Sequence, residues 1–206
     1  MGKKAEYRSA IRSRRLIREA FVELLKEKKF YRITVTDIVT RADINRGTFY
    51  AHYADTRGIL EELEEESLSQ FKDLRYQEFF RNPMPMMRKI SDWLAQDPEF
   101  YRTLLNSGGS EHFLGKLSGF FFQQMLEDTS IPQEIRESSR FRLQAYYISS
   151  GIIGTYQSWF RGELDVPLEA IPEQLVPMIQ NAAELIYAGS ADADEQPAVK
   201  TEFLHR

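Results

Sequence analysis

The stretch from Thr34 to Arg57, TVTDIVTRADINRGTFYAHYADTR, constrains the fold of this chain more than any other, because two short helices have to start and stop inside it. Thr34 followed three residues later by Asp37 has the form of a capping box, and Ile38, Val39 and Ala42 give the first helix an apolar side. Asp43 breaks that helix, since a short polar side chain tolerates the left-handed backbone of a tight turn better than most residues do. Asn45 then caps a second helix through its side-chain oxygen, predicted to run to about Tyr53. Phe49 and Tyr53, four residues apart, share a face and pack inward. Asn45, Arg46, Gly47, Thr48, Tyr50, Ala51 and His52 are left partly or wholly outward. That set is polar, small and hydroxyl-bearing, as a helix laid in a DNA groove requires. A helical hairpin inside a larger core has no reason to expose Arg46, Tyr50 and His52 together.

Ile33, Thr34, Asp37, Ile38, Ala42, Ile44, Gly47, Thr48, Phe49, Tyr50, His52 and Tyr53, taken in register, closely resemble the DNA-binding signature of the TetR family of bacterial transcriptional regulators. The resemblance implies a helix-turn-helix built from the second and third helices of a three-helix N-terminal domain. It also implies a larger all-helical domain for dimerisation and, often, a small ligand. Carried over by position, the DNA-binding residues are Thr36, Asn45, Arg46, Gly47, Thr48, Tyr50, Ala51, His52 and Arg57, with Tyr50 and His52 at positions that reach backbone phosphates. Two positions depart from the pattern. The usual turn glycine is Asp43, and the backbone-contacting lysine after the recognition helix falls on Thr56, leaving the adjacent Arg57 to substitute. Tyr146 to Gly162, YYISSGIIGTYQSWFRG, resembles the C-terminal domain of a subset of these regulators that includes activators related to dihydroxyacetone kinase control.

The net charge of −4 argues at first against a nucleic-acid partner, but it is unevenly spread. Residues 1 to 57 carry 14 Lys and Arg against 7 Asp and Glu, whereas the remainder carries 13 against 24. A basic head on an acidic body is the electrostatic pattern of DNA binding. The chain has no cysteine, which excludes disulfides and thiolate metal sites and fits a cytoplasmic protein. No run of about 18 apolar residues is present to enter a membrane. The histidines are His52, His112 and His205, and none pairs with another at metal-ligand spacing or joins a nucleophile. No Gly-rich phosphate loop is present, so neither catalysis nor a cofactor is expected.

Apolar residues recur at helical spacing along the rest of the chain, and the prediction is an all-α fold of about nine helices. Gly2 to about Ser9 reads as a loose basic arm or a frayed end, followed by a first helix to Lys28 that buries Ile17, Ala20, Phe21, Leu24 and Leu25. Its opposite side, with Arg12, Arg15 and Arg18, is expected near phosphates. A fourth helix spans Thr56 to about Gln77, with Leu74 among its buried residues and Glu61, Glu62, Glu64, Glu65 and Glu66 mostly solvated. In the family this helix connects ligand binding to the DNA heads. Three helices follow: Met84 to Gln96, a short one capped by Asp97 and Pro98, and one from Ser110 to Glu127. The longest helix is expected at Gln133 to Arg161. The last is expected at Glu173 to Ala188, with Pro172 and Pro177 at its start.

The expected domains are 1–55, binding DNA, and 56–188, regulatory and dimerising, with 189–206 a disordered tail. Trp93, Phe100, Tyr101, Leu104, Phe113, Leu117, Phe120 and Phe121, with Tyr147 facing them, either form plain core or line a pocket for an apolar or aromatic ligand. The last two long helices are expected to form a homodimer seam through Gly151, Gly154, Trp159, Ile179, Ala183 and Ile186. The function expected is a ligand-released, dimeric DNA-binding regulator at a palindromic operator, a repressor in that sense. The alternative is a DNA-binding co-activator or architectural factor controlled by a protein partner.

Overall fold

The computed structural model of the chain describes residues 2–71, 78–109 and 111–191, with side chains in those stretches from Tyr7 to Leu185. Among the described residues there are ten α-helices, one 3-10 turn and no strand. The first helix, α1 (Gly2–Glu27), is 26 residues long and buries Ile17, Ala20, Phe21, Leu24 and Leu25. It begins at Gly2, so the lead-in is helix and not a loose arm: nothing between Lys3 and Ser9 is a helix breaker. The 3-10 turn Phe30–Arg32 leads into α2 (Val35–Arg41) and α3 (Arg46–Tyr50), which close against α1 around Ile38, Phe49 and Tyr53.

The start of α2 is a complete capping box. The Asp37 backbone N–H donates to Thr34 Oγ1 at 3.2 Å, while the Asp37 carboxylate accepts from the Thr34 N–H at 2.8 Å and from the Thr34 hydroxyl at 2.7 Å. Lys28 Nζ lies 2.7 Å from the same carboxylate. Lys28 first, then the Thr34 hydroxyl and N–H, hold the Asp37 carboxyl at about 2, below its usual 3.8. Because its pKa is depressed in the folded chain, Asp37 contributes stability that is present above the unfolded value and lost as pH falls through about 2. A carboxyl NMR titration should give that low midpoint, and Lys28→Ala should move it up. An unmoved midpoint would remove Lys28 as the cause.

The tight turn between α2 and α3 places Asp43 at φ 50°, the one non-glycine residue with positive φ among those described. Asn45 Oδ1 then accepts from the Thr48 N–H at 2.7 Å and starts α3. This helix stops at Tyr50, shorter than the sequence suggests, with Ala51 as its C-cap.

The fourth helix, α4 (Thr56–Ser69), is capped by Asp55, whose Oδ1 accepts from the Gly58 N–H at 3.0 Å. It ends before the expected Gln77, and Leu74 lies outside the described residues. The body continues through α5 (Met84–Gln96), α6 (Pro98–Asn106), α7 (Glu111–Leu126), α8 (Gln133–Arg136), α9 (Ser139–Phe160) and α10 (Ala170–Ala191). The expected long helix from Gln133 is therefore two. Ser138 interrupts it, its Oγ accepting from the Phe141 N–H at 3.1 Å to cap α9. Ser110 and residues 192–206, most of the expected tail, lie outside the described residues.

Pro177 sits inside α10, not in its first turn. It deprives the Glu173 carbonyl of a partner, yet the helix continues because Val176, Ile179 and Ala183 on its inner face are buried. The body's core is aromatic. Phe71, just past α4, meets Trp93, Tyr101, Phe121 and Phe160 of α5, α6, α7 and α9 in a chain of edge and tilted contacts.

Head and body are joined in two further places. Along α1 and α4, Arg14 Nη2 reaches Glu62 at 2.5 Å, and Arg18 pairs with Glu62 at 3.2 Å and with Glu66. Arg18 thus faces α4, contrary to the expectation that it lies near phosphates. At the end of α6, the Phe30 N–H donates to the Ser107 carbonyl at 2.8 Å and Lys29 Nζ to the Asn106 carbonyl at 2.7 Å. There is no room at Gly109 for a side chain: a Cβ there would stand 2.7 Å from Phe30 Cδ1 and 3.1 Å from Leu60 Cδ2. Glu64 corrects the expectation of a solvated acidic face. It is fully buried between α4 and α7, 3.3 Å from His112 Nδ1 and 3.7 Å from Lys116 Nζ.

Candidate nucleic-acid interface

The residues singled out around the turn separate into three groups. Thr36 on α2, Arg46 and Tyr50 on α3 and Ala51 at its C-cap are all exposed. Arg46 Nη2 donates to Thr36 Oγ1 at 2.5 Å, so the guanidinium is held across the two helices at the N-terminal end of α3. Tyr50 is 53 % exposed, its ring edge-on to buried Phe49 at 5.4 Å. A cation at the helix start and a phenol one turn later can serve different partners, one accepting a base edge's geometry and one a neutral donor to phosphate.

Asn45, Gly47 and Thr48 build the start of α3. Thr48 gives both its N–H, at 2.7 Å, and its hydroxyl, at 3.1 Å, to Asn45 Oδ1. A Cβ at Gly47 would stand 3.2 Å from that same oxygen, so glycine leaves the cap undisturbed.

His52 and Arg57 turn toward protein partners. His52 Nε2 lies 2.7 Å from Ser13 Oγ on α1. The Arg57 guanidinium lies 5.6 Å from the centre of the Phe30 ring, with Nε 3.4 Å from Glu61. Ser13 is the residue that sequence reasoning missed. It stands 39 positions from its partner, and nothing in its local pattern marks it.

In the body, Trp93, Tyr101, Phe113, Leu117 and Phe121 do converge, around a cavity of about 30 Å³. That is far below the roughly 300–1,000 Å³ of a ligand pocket. Leu104 is fully buried outside its lining, and Phe120 packs partly buried at 5.5 Å from Phe121. Phe100 lies outside that lining but, with Trp93 and Tyr101, lines an open cleft of about 870 Å³ between α1, α4 and the α5–α6 corner. Tyr147 does not face the cluster at all: it is 76 % exposed on the outer side of α9.

The residues expected at a dimer seam divide similarly. Gly151 and Gly154 lie on α9 with nothing within 4 Å of a Cβ built on either. Ile179 and Ala183, by contrast, are buried in the subunit's own core. The Trp159 indole N–H donates to the Val166 carbonyl at 2.7 Å, inside the chain. The Ile186 side chain lies outside the described residues. Among the described residues, the large apolar side chains left uncovered on these helices are Leu143, Tyr146 and Tyr147 on α9 and Met178 and Leu185 on α10. A helix presents residues four apart on one side, so Leu143, Tyr147 and Gly151 form a single stripe.

Residues 17–63 match the sequence profile of "Bacterial regulatory proteins, tetR family", and residues 81–181 match that of "Transcriptional regulator C-terminal region", a TetR C-terminal profile. The Bacillus subtilis (strain 168) protein YxbF, an uncharacterized HTH-type transcriptional regulator, is 27 % identical over 157 residues. That match takes in 71 % of this chain and 39 % of YxbF, so the chain spans about two fifths of the relative's length. Among solved structures, a TetR transcriptional regulator from Streptococcus agalactiae 2603V superposes with a TM-score of 0.63 at 22 % identity, covering 86 % of this chain and 99 % of that one. The dihydroxyacetone kinase operon activator DhaS superposes at 0.52 with 20 % identity, over 84 % and 97 %. At these identities the structural likeness speaks for the fold. The two profiles fall on the head and on the body of the same all-helical chain, and on them the chain belongs to the TetR family of bacterial transcriptional regulators.

Proposed function

We propose that the chain regulates transcription as a homodimer that reads a palindromic operator with α3, residues 1–55 binding DNA and residues 56–188 dimerising and regulating. The observation that carries this reading is the outward face of α3, where Arg46 stands at the helix end that contacts base edges in helix-turn-helix docking and Tyr50 follows one turn on. The unpaired stripe Leu143, Tyr147 and Gly151, with Met178 and Leu185 from α10, supports the second subunit. Its two-fold symmetry would place two copies of α3 on half-sites about one helical turn apart or a little more. Selecting sites from a random DNA pool tests the reading. A recovered palindrome is the expected result, and failure to enrich any sequence would overturn it.

Release of the operator by a small apolar or aromatic ligand is the regulatory reading, and the aromatic lining around Trp93, Tyr101 and Phe121 supports it. Ligand pockets run to roughly 300–1,000 Å³, so a ligand would have to part α7 from α5 and α6 to enter. The small volume of that cavity favours a second reading, in which a protein partner controls the same DNA-binding dimer. A thermal-shift screen of aromatic acids and apolar aromatics separates the two. Stabilisation with loss of operator binding supports the ligand, and a screen without response supports the partner.

A further inference from the structure

The end of α1, the 3-10 turn and α6 meet at the joint between head and body, and among them lies an open groove of about 430 Å³. Its described lining holds five basic side chains, Lys26, Lys28, Lys29, Arg32 and Arg102, against one acidic one, Glu27. That carboxylate is already taken. It accepts from Arg41, outside the groove, at 2.8 Å. Lys28 pairs with Asp37 at 2.7 Å, and Lys29 Nζ donates to the neutral Asn106 carbonyl. Lys26, Arg32 and Arg102 are exposed. Their side chains form no hydrogen bond or ion pair among the described residues, and Arg32 has only the Tyr31 ring, 5.9 Å from its guanidinium carbon.

A lysine in the last turn of a helix is ordinarily explained by the partial negative charge of that end, and Lys26 on α1 needs no other reason. Arg102 does. The last turn of α6 holds no basic residue, so Arg102 stands ahead of it, and Glu99 one turn earlier does not pair with it among the described residues. It belongs to the part of the chain in which acidic residues outnumber basic ones by 24 to 13, yet the fold sets it at the basic end of the head. Like charges brought together across a joint repel one another until an anion lies between them.

The lining also states what kind of anion. Guanidinium forks match the geometry of phosphate oxygens. The lining contains no aromatic ring, and its one large apolar residue, Leu25, is buried, so an aromatic acid would find nothing to stack on. The volume falls within the range of small-molecule pockets. We propose that the groove binds a small, multiply charged phosphate ester, which bridges Arg102 of the body to Lys26 and Arg32 of the head. The site is separate from the aromatic cavity, and anion binding there stands without the DNA-binding reading. An operator phosphate offers the same chemistry, so the test has an arm for each source.

In the first arm, sodium pyrophosphate is titrated into the full chain without DNA in a calorimeter, with ionic strength held constant by sodium chloride. The parent should bind it, Arg102→Ala and Lys26→Ala should each bind about tenfold more weakly, the effect of losing one charge-assisted bond, and Lys89→Ala, which removes an exposed cation of α5, should match the parent. In the second arm, anisotropy of a labelled duplex is followed across a salt series without pyrophosphate. The slope of log K against log salt should be the same for Arg102→Ala as for the parent.

No pyrophosphate binding by the parent, undiminished binding by Arg102→Ala, or an equal loss in Lys89→Ala overturns the inference. A shallower salt slope for Arg102→Ala assigns the groove to the DNA backbone and overturns it as well. A parent that binds pyrophosphate as expected but no duplex at any salt concentration overturns the DNA-binding reading and leaves the anion site standing. Arg102 and Lys26 are exposed helix residues and alanine is a strong helix former, so both variants retain the fold.

Discussion

Gly151→Arg yields a folded monomer whose operator affinity falls by about 10²- to 10⁴-fold. Nothing lies within 4 Å of a Cβ at Gly151, so the subunit itself has no objection to a side chain there. Replacing glycine in a helix interior relieves roughly 1 kcal/mol of backbone entropy cost. The melting temperature should therefore stay level or rise. The seam is another matter. Gly151 continues the stripe of Leu143, 70 % exposed, and Tyr147, and a second copy covering that stripe would bury the new guanidinium without a partner. A monomer engages one half-site at a time and loses the effective concentration that the second head supplies, which is the source of the expected fold-loss. Light scattering and anisotropy on the same sample decide the matter. A folded variant as dimeric as the parent would mean that α9 does not form the seam.

Arg46→Ala should cost roughly 1–3 kcal/mol on the selected operator and relax the preference at one base pair in each half-site. The guanidinium can take guanine O6 and N7 together, and its bond to Thr36 Oγ1 already holds it at the leading end of α3 before DNA arrives. Tyr50→Phe behaves differently. Removing a neutral donor weakens selected and scrambled duplexes by similar factors and leaves the slope of log K against log salt nearly unchanged, since no counterion is displaced by a phenol. Titrating both variants on both duplexes across a salt series separates the roles. Undiminished sequence preference in Arg46→Ala would exclude base reading by that residue.

What is legible in the sequence alone follows a physical division between local and distant causes. The Thr34–Asp37 box, the left-handed turn at Asp43 and the Asn45 cap are interactions over three or four residues, and a linear reading captures them. The inward set Ile38, Phe49 and Tyr53 is a matter of helical period. Burial of Glu64, by contrast, depends on His112 and Lys116 arriving from α7, and nothing in the run EELEEE distinguishes it from the exposed Glu65 and Glu66.

On α9 and α10 the period shows that residues are apolar but not which side meets which neighbour. Ile179 and Ala183, which the period alone allows at a seam, therefore lie in the core, while Leu143, Met178 and Leu185 stand outside. The split at Ser138 has a local cause that the apolar period does not mark, a side-chain cap that competes with helix continuation.

The close approach of Phe30 to Gly109 bears on transplanting the head. A chimaera that grafts residues 1–55 onto a related body carries Phe30 and Lys29 across but leaves behind the backbone they rest on. Unless the recipient also offers glycine at the position of Gly109, its first side-chain carbon arrives 2.7 Å from the grafted ring, and the Ser107 carbonyl that accepts the Phe30 N–H is displaced with it. On the proposed boundary at residue 55, a graft would therefore have to be discontinuous in the chain, taking the first 55 residues together with the four from Asn106 to Gly109.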